Sequence, residues 1–197
     1  NSIGSSAFSG CSSLSQISIP SSVVEICDST FLGCCSLTQI AIPSSVTSIG
    51  EGAFLRCTLL TQISLPSLTS IKKQTFRQCS SLKRITIPKS VKSIGSFAFA
   101  GCSSLSQVRI PFNVISIGDY AFDGCSMLAQ VMIPTSVITI GNSILTGCLS
   151  LTEVSLPSSV TSLGNHIFSG CSAITTVTLP SNINSIGKYT FSGCSSL

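Results

Sequence analysis

Tryptophan is absent from this 197-residue chain, and histidine occurs once. Charged residues make up only 8% of it, against about a quarter in ordinary globular domains. The acids are Glu25, Asp28, Glu51, Asp119, Asp123 and Glu153, scattered with no pattern that brings two together. Each scarcity excludes a class of function. One histidine and dispersed carboxylates form no nucleophile–base or acid–base constellation, so no catalytic residue is assigned and an enzyme is not expected. His166 reads as a solvated residue at a variable position beside a turn. No Cys-x-x-Cys pair exists to chelate, so neither a metal nor a cofactor is expected. No aromatic set is placed to stack bases, and the net charge is only +4, so nucleic acid is not an expected partner. No apolar run approaches the length of a membrane span, and no signal peptide or Asn-x-Ser/Thr sequon is visible. Ser, Thr, Asn and Gln must cover the surface that charges leave bare.

What is present is periodic. The prolines are Pro20, Pro43, Pro66, Pro88, Pro111, Pro134, Pro157 and Pro180, a spacing of 23 residues with one interval of 22. Cys11, Cys34, Cys57, Cys79, Cys102, Cys125, Cys148, Cys171 and Cys194 keep the same interval. So do eight phenylalanines, from Phe8 to Phe191. A fixed period in the twenties is the signature of a stacked solenoid. A single unit of this length cannot bury enough apolar surface to order its own backbone, so neighbouring coils must supply the rest. Coils stacked at ~4.8 Å give a rod of roughly 40 Å for about eight turns.

Within the Pro43 unit the inward positions are Val46, Ile49, Ala53, Phe54, Cys57, Leu60, Ile63 and Leu65. Leu60–Leu65 alternates at its end and reads as a short strand, stopped by Pro66, which cannot donate to a ladder. Val-x-x-Ile after each proline reads as a second short strand on the opposite wall. The Ala-Phe-x-Gly-Cys stretch is too short for a stable helix and reads as a single helical turn. Glycine recurs after the Ile (Gly50, Gly95, Gly118) and again before the Cys (Gly33, Gly101, Gly124). Both columns mark corners needing a positive φ or a close backbone approach. Cys27 and Lys72 stand in for the first glycine, Arg56 and Gln78 for the second.

Equivalent cysteines stack into a column best read as buried free thiols. Disulfides between coils are awkward, because stacked Cβ vectors run parallel. Cys27 and Cys35 are off the period; the sequence allows them to pair or to stand alone. The phenylalanines form an internal file. Ile144-Leu145, where Ala-Phe is usual, nearly conserves volume. Phe97 and Phe112 fall off the pattern.

The string I-P-x-S-V-x-S-I-G-x-x-A-F-x-G-C-S-S-L-x-x-I/V-x-I, clearest over residues 87–110, 110–133 and 156–179, closely resembles the BspA-like leucine-rich repeat family. The resemblance covers essentially the whole chain. It implies a repeat solenoid: a right-handed leucine-rich-repeat stack with a parallel β-sheet on the concave face and short turns and strands on the convex side. Family members are typically surface proteins that look like adhesins, and no catalytic motif comes with them. The expected organisation is one solenoid over residues 1–197, a fragment of a longer array, in which neighbouring repeats of the parent are themselves contact partners.

Two surface features point to a ligand. Gln16, Gln39, Gln62, Gln107 and Gln130 form a broken outward column on the strand face, whose amides could bond along the axis. Between Glu51 and Asp119 there is no acid, yet the interval holds Arg56, Lys72, Lys73, Arg77, Lys83, Arg84, Lys89, Lys92 and Arg109. Such a belt attracts anions. The expected function is adhesion or recognition at the cell surface or after secretion, with a protein or anionic glycan docking at Lys83, Arg84, Arg109, Gln62 and Gln107. The alternative is a cytoplasmic structural scaffold joining other proteins, which free thiols and missing sequons also suit.

Overall fold

The computed structural model describes residues 1–197 as a stack of parallel-stranded coils with no helix. Each full coil carries two short strands. In chain order they are β1 (Ser2–Ile3), β2 (Glu25–Ile26), β3 (Gln39–Ala41), β4 (Ser48–Ile49), β5 (Gln62–Ser64), β6 (Ser70–Ile71), β7 (Arg84–Thr86) and β8 (Ser93–Ile94). They continue as β9 (Gln107–Arg109), β10 (Ser116–Ile117), β11 (Gln130–Met132), β12 (Thr139–Ile140), β13 (Glu153–Ser155), β14 (Ser162–Leu163), β15 (Thr176–Thr178) and β16 (Ser185–Ile186). The three-residue strands form one wall, in the order β11-β9-β7-β5-β3 with β13-β15 beyond. The two-residue strands form the second, as β1-β2-β4, then β12-β10-β8-β6, then β14-β16. Pairing is parallel and in register, so Gln107 lies beside Arg84 on one side and Gln130 on the other. Every side chain therefore stands beside its equivalents.

The third wall replaces the expected helical turn with a run of tight turns. In it, Cys57 N–H donates to the Phe54 carbonyl while Phe54 N–H reaches across to the Thr75 carbonyl of the next coil. The turns thus form a ladder of their own. Their geometry depends on two left-handed positions per coil. The second corner glycine is one, with φ of 71° at Gly33 and 73° at Gly101. The other is a position the sequence did not betray, occupied by Ser6, Ser29, Gly52, Gln74, Phe97, Tyr120, Ser143, His166 and Tyr189, with φ of 54–59°. The first corner glycine has ordinary backbone angles and is favoured by crowding: a Cβ on Gly50 would lie 2.4 Å from the Asp28 nitrogen of the preceding coil. One column thus needs conformation and the other needs space.

The core follows from this register. Phe31, Phe54, Phe76, Phe99 and Phe122 are buried and stack with ring centroids 5.3–5.6 Å apart. Leu145 interrupts the file, and Phe168–Phe191 resumes it at 5.4 Å. Beside it each thiol of the column, from Cys34 to Cys194, donates to the carbonyl of the residue on the phenylalanine file one coil earlier, as Cys57 does to Phe31 at 3.2 Å. Burial raises these thiols above their ordinary value near 9, to about 11 at Cys34 and about 12 at Cys171. A neutral, hydrogen-bonded thiol is a poor nucleophile. Cys27 and Cys35 are partly exposed and free; Cys35 Sγ points to the Arg56 carbonyl at 3.6 Å.

Candidate ligand-binding face

The strand wall turns one set of side chains inward and the next outward, because successive residues of a strand point to opposite faces. In β7 the buried residue is Ile85, and Arg84 and Thr86 are exposed; in β9 it is Val108, flanked by Gln107 and Arg109. Stacking converts this alternation into two outward files. The first runs Gln39, Gln62, Arg84, Gln107, Gln130, Glu153, Thr176, and the second Ala41, Ser64, Thr86, Arg109, Met132, Ser155, Thr178. Arg84 and Arg109 stand on neighbouring strands offset by two residues, an arrangement ~7–8 Å across in a sheet. Lys83 enters the same face just before β7, tied by its amide to the Thr61 carbonyl.

Of the five residues singled out from sequence, Gln62, Arg84, Gln107 and Arg109 share this face, and Lys83 borders it. The glutamine amides do not bond along the axis as expected; no side-chain hydrogen bond in the molecule uses one. They remain open to an outside partner. The belt's other cations disperse around the coil. Lys72, Lys73 and Arg77 lie on the turn side, and the Arg77 guanidinium sits 5.0 Å from the centre of the Phe97 ring. Asp123 carries a carboxyl raised by burial and partly offset by Arg77.

Sequence reasoning missed how the strand face closes at its proline edge. A hollow of about 540 Å³ is lined by Thr86, Lys89, Arg109, Pro111, Phe112 and Asn113, with buried Ile85 and Ile87 beneath. Phe112 is 64% exposed and forms one rim. Asn113 Nδ2 donates to the Lys89 carbonyl at 2.7 Å and holds the two edges together. Two cations at the edge, one exposed ring and an apolar floor suit an anionic group with an apolar neighbour. The off-period position of Phe112, three residues after Arg109, was the available signal. A second hollow of about 620 Å³ lies over Gln16, Gln39 and Gln62.

The chain matches the model for the BspA type leucine rich repeat region, in six copies, over residues 1–106 and 69–197. It is similar to the solved leucine-rich repeat protein of T. pallidum, at 34% identity over 93% of this chain and 75% of that one, with a TM-score of 0.60. It shares a fold with the pneumococcal vaccine antigen PcpA at 23% identity and a TM-score of 0.54, over 84% of this chain and half of that one (50%). No curated protein matches it.

Proposed function

We propose a recognition function for this chain, which belongs to the BspA-type leucine-rich repeat family. The strand face is the docking surface, and the partner is a protein or an anionic glycan met at the cell surface. The observation that carries the reading is the group Lys83, Arg84, Lys89 and Arg109, gathered on and beside the adjacent strands β7 and β9, with the one acid of the strand files, Glu153, two coils beyond β9. Charge so placed steers an anionic partner and sets its register, while the open glutamine amides and Phe112 supply the short-range contacts. The face is extended, polar and shallow, which suits a broad macromolecular partner more than an enclosed small molecule. Nothing in it arranges a nucleophile, a base and an oxyanion site, and the reading is of a binding domain rather than an enzyme.

The test is binding to immobilised heparin and to purified extracellular-matrix proteins over a salt series. Affinity is expected to fall steeply as salt rises. Reversing Lys83, Arg84 and Arg109 to glutamate is expected to weaken it at least tenfold. Unchanged binding by that variant, still folded by circular dichroism, removes the strand face as the site.

A further inference from the structure

The left-handed turn position that varies from coil to coil holds most of the chain's non-core rings. Phe97, Tyr120, His166 and Tyr189 all stand there, with φ of 57–58°. Each lies two residues before a core phenylalanine (Phe99, Phe122, Phe168, Phe191), and stacking puts them on one outer file. Phe97 and Tyr120 are stacked at 4.6 Å and 5°, and His166 and Tyr189 at 4.9 Å and 18°. Between the two pairs the file has one gap, where the coil supplies Ser143. Tyr120 and His166 therefore face each other across two coil rises, ~9.5 Å at the usual strand spacing.

The gap is a cavity of about 400 Å³ lined by Asp119, Tyr120, Asn142, Ser143, Asn165, His166, Lys188 and Tyr189. Ser143 forms its floor and is only 3% exposed. Its amide donates to the Asn165 carbonyl, yet its hydroxyl has no partner in the protein. Unlike the hydroxyl of Ser159, it is not sealed off, so it is free to meet a group held in the cavity. The rim is held rigid by a chain of side-chain-to-backbone bonds. Asp119 Oδ1 accepts from Asn142 N–H at 2.7 Å, Asn142 Oδ1 from Asn165 N–H at 2.9 Å, and Asn165 Oδ1 from Lys188 N–H at 2.8 Å. Asp119 also receives Asn142 Nδ2 at 3.3 Å on the same oxygen. That leaves the second Asp119 oxygen, Asn165 Nδ2, the Lys188 ammonium and two phenols free around the opening.

We propose that this slot binds one pyranose ring of a neutral glycan. An aromatic face carries negative charge at its centre, so it attracts the slightly positive C–H face of a sugar from either side. The equatorial hydroxyls then reach a rim of fixed planar acceptors and donors, and one meets Ser143. An aromatic side chain could stack equally well but would leave the hydroxyl and the rim groups unpaired. This site lies on the turn wall, away from the basic strand face, and is independent of it.

The probes are the methyl glycosides of glucose, galactose, mannose and N-acetylglucosamine, read by saturation-transfer NMR and by the ring shifts of His166. At least one is expected to show transfer to its ring protons and to move the His166 signals. Ser143→Tyr places a ring in the gap, at a position where Tyr120 and Tyr189 already tolerate the same backbone; it is expected to leave the melting curve intact and abolish binding. Tyr120→Ala is expected to weaken binding at least tenfold, and decides the matter should the first variant misfold. Reversing Arg84 and Arg109 is expected to leave the glycoside signal unchanged. The proposal is overturned by absence of transfer from every glycoside, by binding that survives either turn-wall variant, or by preference for p-cresol over all the sugars.

Discussion

Between the Pro43 and Pro66 coils the junction is one residue short, and between the Pro134 and Pro157 coils it is not; yet the second is the more disturbed. At the first, β4 and β6 do not pair, and β5 meets β7 through Ser64 and Thr86 alone. The phenylalanine file passes undisturbed, with Phe54 and Phe76 at 5.6 Å and 4°. Cys27 offers a control: it too replaces the corner glycine, but β1 and β2 stay paired. A side chain at that corner is therefore not what parts β4 from β6, and the missing residue is. At the second junction β11 and β13 lose their pairing, and so do β12 and β14. A Cβ on Gly164 would approach the backbone beneath it no closer than 3.3 Å, against 2.4 Å at Gly141. The sequence difference is inside. Ile144 and Ile167 stack in a column that otherwise holds Ala or Thr, and both are fully buried, with Leu145 beside them. Bulk added to a close-packed column pushes the coils apart; a residue lost at an outer corner is absorbed where it falls.

The same comparison appears in one hydrogen bond. Ser45 Oγ donates to the Val23 carbonyl, Ser90 Oγ to Leu68 and Ser136 Oγ to Val114, each at 2.7 Å. In the Pro66 coil that serine is the deleted residue. In the Pro157 coil it is Ser159, present, with its hydroxyl buried but without a partner. What holds both junctions is the turn wall: Phe54 N–H to Thr75 at 2.9 Å, Leu145 N–H to Ile167 at 3.0 Å, and Cys171 Sγ to the Leu145 carbonyl at 3.1 Å.

The largest expected effect follows from that wall. The unfolded chain ionises its thiols above pH 9, while Cys79, Cys102, Cys125 and Cys148 are held neutral in the fold by burial, well above that value. The native state then binds more protons than the unfolded one, so stability is full below pH 9 and falls as pH rises past it. Each such thiol contributes up to ~1.4 kcal/mol per pH unit to the slope. Urea melts at pH 8, 9, 10 and 11 should show a steep, cooperative loss that takes both sides of each junction together. A flat profile to pH 11, or loss of one side first, would mean that the thiol wall does not unite the rod.

Much of this was legible, and the part that was not has a physical reason. The repeat, the paired strand walls, the phenylalanine file and the thiol column follow from apolar residues at fixed intervals, because register converts sequence period into contact. The two glycine columns were visible as corners, but not which needed a positive φ and which needed room; both leave the same residue behind. The left-handed position of Tyr120 and His166 left no compositional trace, since it is outward-facing and accepts Ser, Gln, Phe, Tyr or His. Four of the five proposed ligand residues share a face because strands alternate. The hollow that joins Arg109 to Lys89 and Phe112 depends on how one coil's proline edge sits over the next, which no single repeat encodes. Ile144-Leu145 looked volume-conserving within one coil; the disturbance arises only because Ile167 lies directly beneath.

Restoring the common residues at the second junction tests that account. Ile144→Ala, Leu145→Phe and Ile167→Ala together return the column to its usual size and complete the phenylalanine file. The coils should close, Ser159 should find the Val137 carbonyl, and the amides of Thr161 and Gly164 should gain at least tenfold protection from hydrogen exchange. The gain in stability is expected to be ~1–2 kcal/mol, since recovered hydrogen bonds are partly offset by lost burial. Unchanged protection would show that the isoleucine pair is not what separates the ladders.

The smallest effect belongs to the first junction. A serine inserted between Ser67 and Leu68 restores the 23-residue spacing and supplies the hydroxyl that should reach the Val46 carbonyl, as Ser45 reaches Val23. It also gives β6 the length to pair with β4. One recovered hydrogen bond and a short ladder are worth ~0.5–1.5 kcal/mol, set against the added entropy of one more residue, so the net change should be under ~1 kcal/mol and confined to the amides around Ser70. If the insertion instead stabilises the rod as strongly as the triple substitution, then chain length and interior volume weigh equally in this stack, and the contrast between the two junctions loses its cause. If it destabilises, the shortened corner is matched to Lys72, whose side chain needs the space that the missing residue leaves.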